Sequence, residues 1–167
     1  KIAQNAKYEM NVLSLVGIDF GPLAFDPMLA SYIVNPIESH GLKDQSERIL
    51  GHSMVRIAEL IGTGRKQATM DTVPVDRVAP YAADDARVAL ELARHYLSCL
   101  DDEQRYLLFE MDMPLAAVLA RMERRGIKVD RQILSRLSGT FAQKAAAVEA
   151  EIFEMAGQNF NIGSTKQ

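Results

Sequence analysis

Helical periodicity runs through most of this 167-residue chain, whereas the alternating pattern that forms strands is rare. Asp26-Pro27 and Asp130 are typical helix starts, and Gly126 and Gly157 are typical helix ends. The short stretch 127–130 alternates and predicts a strand edge. The predicted helices cover about residues 6–16, 28–34, 42–50, 54–61, 76–100, 101–126 and 130–156. Any central sheet is therefore expected to lie mainly upstream of residue 1.

Both ends of the sequence suggest a piece of a longer protein. The chain opens on Lys1 within an apolar run, and it closes on Ser164-Thr165-Lys166-Gln167, which has the spacing of a capping box without a following helix. With 167 residues, it is expected to hold one domain and part of a second.

Composition narrows the class of protein. Hydrophobic residues at 48% and charged residues at 25% are ordinary for a soluble globular protein. No apolar run approaches the roughly 18 residues that a membrane span needs. The single cysteine, Cys99, cannot form an internal disulfide and is expected to be buried, which favours a reducing compartment. His52 and His95 lack a partner at metal-ligand spacing, so a zinc site is not expected.

Charge is unevenly distributed along the chain. The net charge of −3 argues against a uniformly basic nucleic-acid binder. Between Arg121 and Lys144, however, seven basic residues stand against two acidic ones. This stretch either forms solvated helix faces or neutralises the phosphates of a duplex.

Tyr81 and Asp85 are candidates for chemistry because they lie four residues apart in a predicted helix and so share one face. Taken alone, the spacing fits an inward-facing tyrosine and a solvated aspartate better than a site. Asp84 lies about 100° further round the helix and is expected to be solvated. Asn5 is placed to cap the first predicted helix, which also carries Glu9.

Five segments, in this order along the chain, together resemble bacterial DNA polymerase I of family A. They are Lys1 to Glu9, Phe25 to Tyr32, Tyr81 to Asp85, Met113 to Glu123 and Phe160 to Gln167. The resemblance implies that residues 1–100 are the C-terminal part of a 3′ to 5′ exonuclease domain with an α/β, ribonuclease H-like fold whose sheet is largely missing here. It implies that residues 101–167 are the mostly α-helical start of the polymerase domain, ending at the start of the thumb.

The resemblance also assigns roles at the site. Asp85 matches a metal-binding aspartate, Tyr81 matches the tyrosine that orients the attacking water, and Glu9 stands where the family has a metal-binding aspartate. Two divalent ions, Mg²⁺ or Mn²⁺, are implied, because such ions take several oxygen ligands. The side chain of Glu9 is longer than that of aspartate by about 1.5 Å, a carbon–carbon bond. The alternative is therefore an inactive domain that serves as a DNA-binding scaffold.

DNA is the implied partner, both as a single-stranded 3′ end and as a primer–template duplex, with deoxynucleoside triphosphates in the intact enzyme. A monomer in the bacterial cytoplasm, associated with the nucleoid and not with membrane, is expected. A related ribonuclease of the RNase D type is a further alternative, which the polymerase-like residues after 101 argue against. The expected DNA-binding residues are Asn5, Arg65, Lys66, Arg124, Arg125, Arg131 and Lys166.

Overall fold

The computed structural model of the protein describes residues 1–164, apart from the side chain of Lys66. Its helices are α1 (Ala6–Leu15), α2 (Pro27–Val34), α3 (Leu42–Gln45), α4 (Ile57–Ile61), α5 (Val75–Cys99), α6 (Asp102–Tyr106), α7 (Met113–Arg125) and α8 (Arg131–Ala156).

The described part of the chain contains very little β-structure. They meet in one parallel bridge, between Ile2 and Phe25, and residues 1–164 form no longer ladder. Residues 127–130 do not pair, so the predicted strand edge was wrong. A β-strand needs an adjacent strand to hydrogen-bond its backbone N–H and C=O groups, and the described residues place no such strand beside this segment.

The chain divides into two compact units, the first covering residues 1–126 and the second beginning at Ile127. The first unit extends across the predicted domain boundary near residue 100, which itself stays a prediction. In the second unit, the Asp130 carboxylate accepts from the backbone N–H groups of Gln132 and Ile133 at 2.9 and 3.1 Å, which starts α8. Gly157, at φ 67°, closes it as predicted.

The main core of the first unit lies where α2 and α3 meet α5 and the turn before α7. Two buried polar side chains inside it, those of Tyr96 and Gln45, are paired. The Tyr96 hydroxyl donates to Gln45 Oε1 at 2.8 Å, and Gln45 Nε2 donates to the His40 carbonyl at 2.6 Å. The large apolar side chains that fill this core are Phe25, Val88, Leu92 and Leu108.

A smaller core joins α1 to α7. It is built around Ala6, Met10, Phe20 and Ala120. At its edge, Glu123 pairs with Lys7 and accepts from Asn11 Nδ2 at 2.7 Å. These contacts tie the first predicted helix directly to the helix that resembles the start of a polymerase domain.

The N-terminus of α1 is capped differently from the prediction. Asn5 has left-handed backbone angles, and its side chain makes no capping hydrogen bond. The buried Asp26 instead accepts from the N–H groups of Asn5 and Ala6 at 3.1 and 2.8 Å, and also from that of Met28 at 2.9 Å. One carboxylate thus caps α1 and α2 together, which local sequence patterns do not reveal.

Two predicted helices contain π-helical turns. Residues Ser46–Leu50 continue α3 in this form, and Leu107–Asp112 connect α6 to α7. Pro114, in the first turn of α7, lacks an N–H group, and a wider turn before it accommodates the missing donor.

Three other expectations need correction. Cys99 is exposed, because it is the last residue of α5 and faces away from the core. The helix predicted for residues 76–100, which Asp76 was expected to cap, instead begins at Val75 and ends at Cys99, so Asp76 lies inside its first turn. The helix predicted for 54–61 begins only at Ile57. None of the described helices is both long and apolar enough to cross a membrane.

Candidate functional site

The side of α5 that carries Tyr81 and Asp85 forms one wall of a cleft of about 540 Å³. The segment 52–55 and α4 supply the opposite wall. The helical spacing that the sequence predicted therefore brings both side chains to one opening. The lining residues are His52, Ser53, Met54, Val55, Leu60, Arg77, Pro80, Tyr81, Asp84 and Asp85.

Asp85 is a partly buried carboxylate with an unused oxygen. Burial raises its pKa, while the positive charge of Lys43 and a hydrogen bond with Tyr81 act in the opposite direction. Its Oδ1 atom is buried and has no hydrogen-bond partner among the described residues. Since buried polar atoms normally have partners, this oxygen is suited to a ligand such as a cation.

Tyr81 lies beside this carboxylate. Partial burial raises the pKa of its phenol, and the negative charge of Asp85 raises it further. The hydroxyl therefore stays protonated at neutral pH and can donate a hydrogen bond.

Lys43 completes this group, although sequence reasoning missed it. Its ammonium lies 4.2 Å from the centroid of the Tyr81 ring and donates to the Val55 carbonyl. Lys43 is 38 residues upstream of Tyr81 and belongs to no motif, so no local signal could have placed it there.

Asp84 is held by contacts with His52 and Arg87 and is only partly solvated. Its two oxygens lie 3.1 and 2.9 Å from Nε2 of His52, and Arg87 donates to Oδ1 at 2.7 Å. The hydrogen bond from His52 holds the pKa of Asp84 below its usual value, and Arg87 adds to this. The pair fastens the segment that begins at His52 to α5, next to Asp85.

Glu9 and Asn5 lie at the N-terminal part of α1. The Glu9 side chain has no hydrogen bond or ion pair with the other described residues. Within residues 1–164, apart from the side chain of Lys66, no three His, Cys, Asp or Glu side chains come close enough together to hold a metal ion. The unpartnered Oδ1 atom of Asp85 is suited to ligate a divalent ion. Such an ion takes several oxygen ligands, however, and the described residues do not bring enough of them together.

The basic residues expected to bind DNA are spread over several elements. Arg65 is exposed on the short 3₁₀ turn Gly64–Lys66. In the basic stretch, Arg124 donates to the Met10 carbonyl at 3.4 Å, so part of its bonding capacity is used inside the first unit. Arg125, at the end of α7, and Arg131, at the start of α8, are exposed in their respective units.

Two of the expected DNA-binding side chains lie beyond what the structure describes. The side chain of Lys66 is outside the described atoms, and Lys166, with Thr165 and Gln167 of the predicted capping box, is outside the described residues.

Comparison with known proteins gives consistent matches over the whole chain. A family model for the 3′-5′ exonuclease of the family A DNA polymerases matches residues 1–100. DNA polymerase I of Rhizobium leguminosarum is 45% identical over all of this chain and 16% of its own length. DNA polymerase I of Pseudomonas aeruginosa is 37% identical over all of this chain and 19% of its own length. The chain therefore spans less than a fifth of these curated relatives.

A solved structure is also similar. It is the POL domain of Pol1 from M. smegmatis in complex with DNA primer–template and dNTP. The TM-score is 0.76 at 26% identity, and the match covers all of this chain and 26% of that one.

Proposed function

Since the chain belongs to the 3′-5′ exonuclease family of the family A DNA polymerases, we propose that it is part of a DNA polymerase I acting in replication and repair. Residues 1 to about 100 form the C-terminal part of the exonuclease domain, which has a ribonuclease H-like fold. Other parts of the full-length polymerase supply the sheet of this domain. Residues from about 101 to 167 begin the polymerase domain and end at the start of the thumb.

The proposed reaction is hydrolysis of the last phosphodiester bond at a mispaired 3′ end. The observation that carries it is the buried, unpartnered oxygen of Asp85 beside the protonated phenol of Tyr81, at the wall of an open cleft. This pair supplies a metal-ligating carboxylate and a hydrogen-bond donor in one place.

In this proposal, Asp85 and Glu9 hold divalent cations, Mg²⁺ or Mn²⁺, together with carboxylates from outside the described residues. Such ions lower the pKa of bound water and neutralise charge on a phosphate. Tyr81 orients the attacking water through its hydroxyl. Asp84 is not a ligand, because His52 and Arg87 already occupy its oxygens.

DNA contacts are assigned to the basic and amide side chains outside the cleft. Asn5 and the loop residues Arg65 and Lys66 meet the single-stranded end, while Arg124, Arg125, Arg131 and Lys166 meet the phosphates of the primer–template duplex. Deoxynucleoside triphosphates bind elsewhere in the full-length polymerase, which acts as a monomer in the bacterial cytoplasm.

Replacing Arg125 and Arg131 together by Ala should make the plot of log binding constant for duplex DNA against log salt concentration less steep by about 2, because each lost phosphate contact reduces counterion release by about one ion. An unchanged slope would show that both residues are solvated surface residues that do not contact DNA phosphates.

The deciding experiment is 3′-end degradation of a mispaired primer by the full-length polymerase in Mg²⁺ or Mn²⁺. The enzyme is compared as found, with Glu9→Asp and with Asp85→Ala. Degradation by the first two and its loss in the third support the proposal. Polymerisation on a correctly paired primer serves as the control, because it does not use these residues.

An inactive, DNA-binding scaffold is the second candidate, and the longer side chain of Glu9 favours it. Metal ligation tolerates only about 0.2 Å of misplacement, far less than an added methylene introduces. If only the Glu9→Asp variant degrades the mispaired primer, the defect lies at this side chain. If neither the polymerase as found nor the Glu9→Asp variant degrades it, the domain is an inactive scaffold. A ribonuclease of the RNase D type is not proposed, because the polymerase relatives match the residues after 100 as well.

A further inference from the structure

One lysine of α3 contacts both walls of the candidate cleft. Lys43 belongs to α3, its ammonium lies over the Tyr81 ring of α5, and it donates to the carbonyl of Val55 on the opposite wall. Val55 and Tyr81 both line the cleft. Lys43 itself is partly buried.

The geometry restricts both partners. An ammonium within about 6 Å of an aromatic centroid is attracted to the ring face, and here the distance is 4.2 Å. The Val55 carbonyl fixes where the ammonium sits, so the ring of Tyr81 has a preferred orientation. A tyrosine at the wall of an open cleft otherwise has several accessible rotamers.

We propose that Lys43 is the positioning residue of Tyr81, holding the phenol in the orientation that places its hydroxyl beside Asp85. Its catalytic consequence rests on the proposed exonuclease function, whereas its effect on the ring does not. Lys43 touches neither substrate nor metal in this role. Its positive charge also opposes the rise in the pKa of Asp85 that burial causes, but its positioning effect acts through the ring of Tyr81.

The test compares Lys43→Met, which keeps the length of the side chain without its charge, with Lys43→Arg, which keeps a cation. The full-length polymerase carries 3-fluorotyrosine at position 81, and the ¹⁹F resonance reports the surroundings of the ring. Arg48→Met is the matched control: it removes a cation from the helical segment that continues α3, but this guanidinium pairs with Glu38 at 2.9 Å.

Lys43→Met should shift the position-81 resonance, while Lys43→Arg and Arg48→Met leave it near that of the starting protein. In 3′-end degradation, Lys43→Met should lower kcat about three- to tenfold with KM unchanged, because orientation of the water-positioning group matters in the reaction step. Lys43→Arg should recover most of this loss. Thermal unfolding midpoints of all variants identify any that fail to fold.

An unchanged ¹⁹F resonance in folded Lys43→Met overturns the proposal, whatever the activity. So does a rise in KM at constant kcat, which would make Lys43 a substrate-binding residue. If the resonance shifts but no variant degrades DNA, the exonuclease function fails, while the contact between the Lys43 ammonium and the Tyr81 ring stands.

Discussion

Asp26 is expected to be the polar side chain on which the stability of the first unit depends most. It is 1% exposed and accepts hydrogen bonds from three backbone N–H groups, two at the start of α1 and one at the start of α2. Asp26→Ala removes all three acceptors at once. The N–H of Ala6 is buried, whereas the other two bonds are only partly buried.

The magnitude follows from these three bonds. A buried N–H without a partner costs about 1–3 kcal/mol, and a lost helix cap costs about 0.5–2 kcal/mol. Against this, burial raises the pKa of the Asp26 carboxyl despite the hydrogen bonds from Ala6 and Met28. Desolvation of the charge therefore offsets part of the gain, and we expect Asp26→Ala to lower the free energy of unfolding by about 2–4 kcal/mol.

The assay is urea unfolding of the purified chain, followed by far-UV circular dichroism. A lower midpoint at constant m-value is the expected result. Asp19→Ala is the matched control, because the Asp19 side chain accepts one backbone N–H, that of Gly21 at 3.0 Å, from an exposed position. It should change stability by less than about 0.5 kcal/mol.

Asp26→Asn provides a graded comparison. Its amide oxygen still accepts from Asn5 and Met28, but its NH₂ group faces the N–H of Ala6, so we expect an intermediate loss of about 1–2 kcal/mol. If Asp26→Ala costs no more than Asp19→Ala, the shared cap does not stabilise α1 and α2, and the reasoning is refuted.

Three further predictions concern the surroundings of the site. His52→Ala should raise the pKa of Asp84 toward its usual value, because the hydrogen bond from His52 is the largest cause of the lowering; a ¹³C NMR titration of the carboxyl measures this. Since the folded-state pKa is the lower one, the stability from this pair is present above the unfolded pKa and is lost as pH falls through the folded value. Glu123→Ala should speed amide exchange in α1, because Lys7 and Asn11 lose their shared partner, while exchange in α5 stays unchanged; equal rates in α1 would contradict this. The purified chain alone should show no Mg²⁺-dependent cleavage of DNA, because its described residues bring no three metal-binding side chains together, and detectable metal-dependent turnover would show that this ligand set is sufficient.

Local patterns predicted much of the helical content. Asp26-Pro27 and Asp130 start helices as expected, and Gly157 ends one, because capping and backbone preferences act within a few residues. The resemblance to a polymerase family is likewise confirmed by the matches across the whole chain.

The helical spacing of Tyr81 and Asp85 also follows from sequence, since a repeat of 3.6 residues per turn places them on one face. Their surroundings do not. Lys43 and His52 lie 38 and 32 residues before the side chains that they contact, and only the packing of α3 and the following segment against α5 brings them to this site.

The sequence alone therefore determined most of the helices, the family and the pair on α5, because each depends on neighbouring residues or on an ordered set of motifs. Only the tertiary structure decided that Asp26, and not Asn5, caps α1, and that Lys43 faces Tyr81. Contacts between residues distant in sequence depend on how the helices pack. The pattern of side chains along one helix does not indicate which residues of another element will lie against it.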